Sequence, residues 1–479
     1  MSTAAQYAVF TGCIVDTPVM GQLRVRINGV LGIDRSSGRI IGVAEKAELL
    51  PAELVSAWTG QSVDSKAIET IQLTADQFLM PGLIDTHTHA PQFSFLGIGH
   101  DLPLMDWLNK YTFKHESEFK DANLARKFYK DVIKRVVRNG VTFAAYYGTI
   151  HFDSNCVLAD IIREIGQRAY VGKVCMDANS PAYYSESTEA SLRDTEEFVK
   201  KVLGSQAEEA NKQQSRLVTP IITPRFAPSC THECMAGLGA LAEKYQLPIQ
   251  SHLCENPSEI EYAKSCFPDS PSYAHIYHQR GLLNSRTIMA HCVHMSDAEI
   301  ALMRETKASV SHCPNSNLSL SSGIADIRRF IAEGIPVGLG TDVGGGYTPS
   351  ILDAMRMAAV SNRALIAFRR DSGVQSAPGS KDTPLEAAEA LYLATQGGAR
   401  VMTMDEHLGS LDANKLFDAL VVDMSTPNSP VPSIEATPAV RDAACPIEAW
   451  KMRIEQFVFL ADDRNISRVY VGGKLIHTS

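Results

Sequence analysis

The chain has 479 residues, 45% hydrophobic and 21% charged, with 45 Lys plus Arg against 54 Asp plus Glu and hence a formal net charge of −9. That much apolar surface excludes a disordered chain, and the acidic balance argues against nucleic acid, whose phosphates need a basic footprint. At roughly 100–200 residues per domain the length allows two or three domains, or one large barrel with an accessory unit.

The first eighty residues read as strands. Leu23, Val25 and Ile27 alternate with Arg24 and Arg26, and GRIIGVAE follows a Ser-Ser-Gly turn. From residue 79 the texture changes to eight short apolar runs: LMPGLID (79–85), GVTFAAYYG (140–148), RAYVGKVCM (168–176), RLVTPIITP (216–224), LPIQSH (247–252), TIMAH (287–291), ASVSH (308–312) and IPVGLGTD (335–342). Helical stretches separate several of them. Leu124, Phe128, Val132 and Val136 recur every four residues, and Asn139-Gly140 supplies a stop. The basic run Lys127, Lys130, Lys134, Arg135 and Arg138 reads as a solvated helix face rather than a polyanion site.

Residues 205–215 are polar and expected as loop or frayed helix, and 425–446, with five prolines, as irregular chain. The β pattern returns in KLFDALVVD and RVYVGGKLI, where Gly472-Gly473 suits a two-residue hairpin turn. The expected fold is α/β: a (β/α)8 TIM-like barrel over 79–404, with a small β-sandwich domain built from 1–78 and 405–479. In such a barrel the chemistry lies at the C-terminal strand ends.

Ten cysteines show no CxxC pair or regular spacing, which fits buried thiols in a reducing compartment. MSTAAQYAVFTG has no signal-peptide pattern and no apolar run is long enough to span a bilayer, so a cytoplasmic protein without a membrane partner is expected. The sequons at Asn317 and Asn465 are then chance matches.

The first barrel run ends in Asp85-Thr86-His87-Thr88-His89. Two residues apart on a strand, His87 and His89 point to the same side, into the barrel mouth, as a metal-binding half-site. Other runs end in His252, His291, His312 and Asp342. Histidine and carboxylate donors in this number suit Zn²⁺ with a position open for water, although ligand type alone leaves Fe²⁺ open. Such a cation brings the pKa of water to about 7. Glu255, three residues after His252, is placed to shuttle a proton; its bland alternative is a carboxylate at a helix N-terminus.

MPGLIDTHTH followed by His252, His291 and Asp342 resembles the amidohydrolase superfamily. The longer words HAPQFSFLGIGHDLPLMDWLNKYTF, GKVCMD, ITPRF, IQSHLCEN, MAHCVHMS, HCPNSNLSLSSG and GLGTDVGGGY resemble its guanine deaminases, from about residue 6 to 476. The resemblance implies hydrolysis of guanine to xanthine and ammonia on one Zn²⁺ per subunit of a homodimer. It implies His87, His89, His252 and Asp342 as metal ligands and Glu255 as proton shuttle. It further implies that Asp342 accepts a proton or hydrogen bond from the nucleophilic water and that His291 helps orient or polarise it. Gln92, Arg225 and Phe226 are the implied substrate contacts: Arg225 with a forked pair to the guanine carbonyl, Gln92 donating and accepting at the ring edge, Phe226 packing on it. The resemblance also implies that His252, Glu255 and Asp342 contact the substrate. RLVTPIITPRFAP lacks the carboxylated lysine that bridges two metals in many relatives, so one metal is favoured and Lys173 is read as structural.

Weaker features remain. His312 is either a support for the ligands or a structural histidine. Gly344-Gly345-Gly346 departs from a phosphate loop, because GLGTDV has Val343 where GxGxxG needs glycine, and reads as a close-approach or mobile loop. His100, His115 and His151 are candidates for polar pocket or subunit contacts. Asn414 stands where a turn glycine is common and tolerates positive φ. The zinc deaminases with H-x-E and P-C-x-x-C are excluded, since the chain has no Pro-Cys dipeptide. The alternatives are a different aminated ring (8-oxoguanine, a pterin, a triazine, an adenosine derivative) and a non-catalytic scaffold, which the intact ligand set disfavours.

Overall fold

A computed structural model describes residues 5–205, 216–376, 380 and 382–479. Among the described residues there are eighteen strands: β1 Tyr7–Val19, β2 Gln22–Asp34, β3 Arg39–Ala44, β4 Ile68–Gln72, β5 Gln77–Pro81, β6 Leu83–His89, β7 Val141–Tyr147, β8 Arg168–Gly172, β9 Val174–Cys175, β10 Val218–Pro220, β11 Thr223–Pro224, β12 Ile249–Leu253, β13 Thr287–His291, β14 Ser309–His312, β15 Val337–Leu339, β16 Ala419–Asp423, β17 Ile466–Val471 and β18 Lys474–Thr478. Each of the eight apolar runs overlaps at least one of them.

Strands from the two ends of the chain form one eight-stranded sheet in the order β18-β17-β16-β5-β1-β2-β3, with β4 beside β1. The join is antiparallel, Ala419 opposite Pro81 and Val421 opposite Leu79. Gly472 and Gly473, at φ 53° and 75°, make the expected hairpin between β17 and β18.

The middle of the chain forms two four-stranded parallel sheets, β6-β7-β8-β10 and β12-β13-β14-β15, with β9 and β11 paired beside them. The first two strands of these sheets, β6 and β7, are buried at every residue, as expected where both faces are covered. The strand ladders do not run on as one ring. Backbone bonds span the gaps: Gln250 N to Ile222 O on one side, and Asp342 N to His87 O and His89 N to Val343 O on the other, each 2.9 Å. Ile84, Phe143, Tyr170, Ile221 and Ile288 converge between the strands with Val401, Met402 and Leu416, sealing one end with hydrocarbon. The polar strand ends lie at the other.

Four expectations are corrected. Residues 51–59, inside the strand-like region, form helix Pro51–Thr59, started by a proline that its missing N–H suits to a first turn. In β2 the most buried side chain of the alternating stretch is Arg26, not the aliphatics, because Asp16 and Glu45 receive its guanidinium. In helix Ala122–Arg138 the buried stripe is Ala125, Tyr129, Val132, Ile133 and Val136, while Leu124 is exposed. Steps of four overrun the helical repeat by about 40° each, so three steps turn Leu124 about 120° from Val136. Residues 425–446 are mostly irregular but include the short helix Pro438–Arg441, and Pro446 opens helix Pro446–Leu460. The basic residues of the Ala122–Arg138 helix are exposed, as a solvated face requires. Of the polar segment 205–215, residues 206–215 lie outside the described residues.

A buried ion pair ties the parallel sheet to the end-strand sheet. Arg168 on β8 donates from Nε and Nη2 to Asp418 at 2.8 and 3.1 Å, and Asp418 also accepts Gly472 N at 2.8 Å. Removing one partner of such a pair strands the other charge in low dielectric. Asp418→Ala is therefore expected to lose about 3–5 kcal/mol of stability in denaturant unfolding, and the double change Arg168→Met with Asp418→Leu to recover most of it.

Candidate functional site

The sequence-predicted residues meet where the parallel strands end. His87 and His89 close β6, His252 lies in β12, His291 ends β13, and Asp342 lies three residues beyond β15. His89 Nε2 is 3.3 Å from both His87 Nε2 and His252 Nε2. Asp342 Oδ1 is 3.1 Å from His87 Nε2 and 3.3 Å from His89 Nε2. His291 Nε2 stands 3.8 Å from Asp342 Oδ2 and 3.5 Å from Glu255 Oε2.

The outer ring nitrogens of His252 and His291 are committed. His252 Nδ1 donates to Arg225 O at 2.5 Å and His291 Nδ1 to Asn317 Oδ1 at 2.9 Å. Each bond leaves an Nε2 lone pair turned inward, which ligation requires. Burial, with neighbouring imidazoles adding, drives the His252 pKa well below its ordinary value and that of His89 to about 4, so these rings are neutral. Among the described residues His291 Nε2 has no hydrogen-bond partner. The 3.3 Å spacing of the Nε2 atoms matches the edge of a tetrahedron with metal–nitrogen bonds of about 2.0–2.1 Å. These residues fit a divalent cation, and His87, His252, His291 and Asp342 each offer a donor atom within 4.8 Å of the others.

Local backbone places the donors. His291 and Asp342 hold φ of 72° and 44°, and Cys254 and Cys292 beside them 51° and 52°. Non-glycine residues pay about 1–3 kcal/mol for such conformations, which persist where the surroundings over-determine them. At Asp342 the surroundings are visible: Asp85 accepts Thr341 N at 3.0 Å, Thr341 Oγ1 at 2.5 Å and His87 N at 3.2 Å, fastening β6 to the turn that carries Asp342. Tyr147 on β7 packs against His87, His89 and His252 with centroids 4.8, 4.5 and 5.0 Å away.

The cluster faces a cavity lined by His89, Gln92, Arg225, Phe226, Glu255 and Trp107, among others. Burial, reinforced by the Asp342 carboxylate, pushes the Glu255 carboxyl up to about 8, and Ser322 Oγ donates to it at 3.3 Å. Glu259 accepts the backbone N–H of Glu255 at 2.9 Å and of Asn256 at 3.3 Å, which sets the loop.

Arg225 differs from expectation. Its Nη1 and Nη2 fork grips Glu116, at 2.6 and 3.1 Å, rather than pointing as a pair into the cavity, because a buried guanidinium needs an anion. Gln92 Nε2 donates to the same carboxylate at 2.9 Å, and Gln92 Oε1 accepts Gly344 N at 3.0 Å. The sequence reading missed Glu116, Tyr147 and Asn317. A glutamate in the otherwise apolar and basic stretch KYTFKHE was the one available signal for the first.

The minor candidates also have places. A Cβ on Gly346 would lie 2.0 Å from Thr341 O and one on Gly345 2.5 Å from Ser316 Oγ, so the glycine run is a close-approach loop. His100 Nε2 contacts Gly344 O at 3.0 Å, His115 stacks on Phe95, and His151 precedes helix Phe152–Ile165. Lys173 is buried against Glu186 at 2.6 Å, a structural pair. His312 is buried and neither ring nitrogen has a partner among the described residues. Asn414 has φ 72°.

The amidohydrolase family model matches residues 78–476. The guanine deaminase of Dictyostelium discoideum is 40% identical over 470 residues, spanning 98% of each chain. That of Rattus norvegicus is 40% identical over 469 residues, 98% of this chain and 96% of the relative. Among solved structures, the guanine deaminase of C. acetobutylicum with guanine bound in its active site superposes with a TM-score of 0.83 at 35% identity, over 98% of this chain and all of that one. The chain therefore belongs to the amidohydrolase family, among its guanine deaminases.

Proposed function

We propose that this chain hydrolyses guanine to xanthine and ammonia, with the cavity beside the histidine cluster as the active site. The observation that carries the reading is one cavity lined by inward-turned imidazole donors, a carboxyl titrating near neutrality and a buried Arg–Gln pair suited to a polar ring. Relatives about 40% identical over nearly the whole chain support the reaction.

In this reading His87, His89, His252 and Asp342 hold one Zn²⁺ per subunit. When bound, the cation would supply Lewis acidity and a nucleophile deprotonated near neutral pH. Water adds to C2 of guanine. Glu255 takes one proton from the water and delivers it to the adjacent ring nitrogen; it then takes the remaining proton from the C2 hydroxyl and passes it to the amine, so that the C2–N bond breaks, C2=O forms and ammonia leaves. Asp342 accepts a hydrogen bond from the attacking water, and His291, 3.5 Å from Glu255, orients it. Arg225 offers the ring the N–H groups that Glu116 does not hold, Gln92 offers its second N–H and lone pair, and Phe226 closes one face.

The finer architecture follows the same reading: the parallel strands as a (β/α)8 barrel over 79–404, and the strands of both ends as a β-sandwich unit. Assembly as a cytoplasmic homodimer is proposed on the family resemblance. The ten cysteines are all free thiols, which accords with a reducing compartment.

Two outcomes test the reading. Glu255→Gln is expected to retain its metal while ammonia release from guanine falls by about 10²–10⁴-fold, the range for a lost general acid–base; near-normal turnover would remove Glu255 from this role. Across guanine, guanosine, adenine and 8-oxoguanine, guanine is expected to give the highest kcat/KM, with chelation abolishing turnover and Zn²⁺ restoring it. Faster turnover of another ring would reassign the substrate.

A further inference from the structure

Glu116 has no place in the reaction as described, yet it is completely buried at the back of the substrate cavity. It lies in the short helix Phe113–Glu118 and accepts side-chain hydrogen bonds on both oxygens. Oε1 receives Arg225 Nη2 at 3.1 Å and Gln92 Nε2 at 2.9 Å, while Oε2 receives Arg225 Nη1 at 2.6 Å and the Tyr184 hydroxyl at 2.8 Å. An ionised carboxylate has about four acceptor positions, and all are taken, so Glu116 does not bind the ring itself.

Besides Tyr184, its partners are the two polar side chains assigned to ring recognition. Arg225 is 3% exposed, and its guanidinium stands 5.2 Å over the Phe113 ring. Glu116 is the only carboxylate paired with it among the described residues. Gln92 is pinned from both ends, its amide nitrogen on Glu116 and its oxygen on Gly344 N, which fixes the face the amide presents. In a water-poor site a uncompensated guanidinium would dominate the field at the ring.

We propose that Glu116 is a positioning residue that sets the charge selectivity of ring recognition: by neutralising Arg225 in place, it makes the cavity prefer an uncharged oxo-purine over a ring of the same shape carrying a negative charge. The inference rests on reading this cavity as the ring-binding pocket. Glu116 leaves Arg225 as a hydrogen-bond donor while cancelling its pull on anions, so an ionised ring gains little on entering. Removing the carboxylate alone frees a positive charge beside the ring, and removing Arg225 alone frees a negative one.

The test uses metal-loaded protein and calorimetric titration with two purines, hypoxanthine (neutral at pH 7) and urate (an anion at pH 7), so binding is read without turnover. The wild type is expected to bind hypoxanthine more tightly than urate. Glu116→Gln should shift the ratio of the two dissociation constants at least tenfold toward urate, and Arg225→Gln should shift it the other way. The double variant should bind both more weakly with a ratio near that of the wild type. A merely structural role would weaken both ligands alike and leave the ratio in place. Ratios within twofold of the wild type in both single variants would overturn the proposal, as would a wild type that binds neither ring. Should Glu116→Gln not fold, the opposite shift in Arg225→Gln and its cancellation in the double variant decide the matter. A wild type that binds as expected but releases no ammonia from guanine would overturn the substrate reading and leave the role of Glu116 standing.

Discussion

Four imidazoles and a carboxylate packed against one another, out of water, are unfavourable unless their inward lone pairs have a common partner and their rings are held in the tautomers that turn those lone pairs inward. Much of this chain is arranged around that constraint. Arg225 O and Asn317 fix the tautomers of His252 and His291. Tyr147 packs against three of the rings. Asp85 binds the turn that carries Asp342 to the strand that carries His87, at the place where the parallel ladder is open. The left-handed backbone at His291 and Asp342 is the local cost of aiming these side chains inward.

The same economy governs the substrate side. Burying Arg225 for ring recognition would be unfavourable without an anion, and an anion exposed to the ring would reverse the selectivity. Glu116 resolves both by standing behind Arg225 with its acceptor positions filled. The pocket is thereby polar without a net charge from this pair, consistent with a free base that needs no electrostatic steering.

What could be read in the sequence divides along physical lines. Strand ends bearing His87, His89, His252, His291 and Asp342 were legible because buried parallel strands leave continuous apolar runs and because metal chemistry restricts the residue types that follow them. Gly472-Gly473 was legible because positive φ at two successive residues admits few alternatives. Glu116 was not, since its meaning depends on Arg225, 109 residues away in the chain, and a glutamate near lysines reads locally as surface. Arg26 failed for the same reason: alternation predicts a face, and a buried carboxylate such as Asp16 can claim the arginine from the other side. Leu124 failed because a four-residue repeat drifts from a 3.6-residue helix.

In the proposed reading the strand-end cluster is a centre for one divalent cation. Anomalous diffraction at the zinc edge, on crystals of the zinc-loaded chain, tests it most directly. A single peak within bonding distance of His87, His89, His252 and Asp342 is expected. Two peaks in the cluster, or none there with a peak elsewhere, would contradict it.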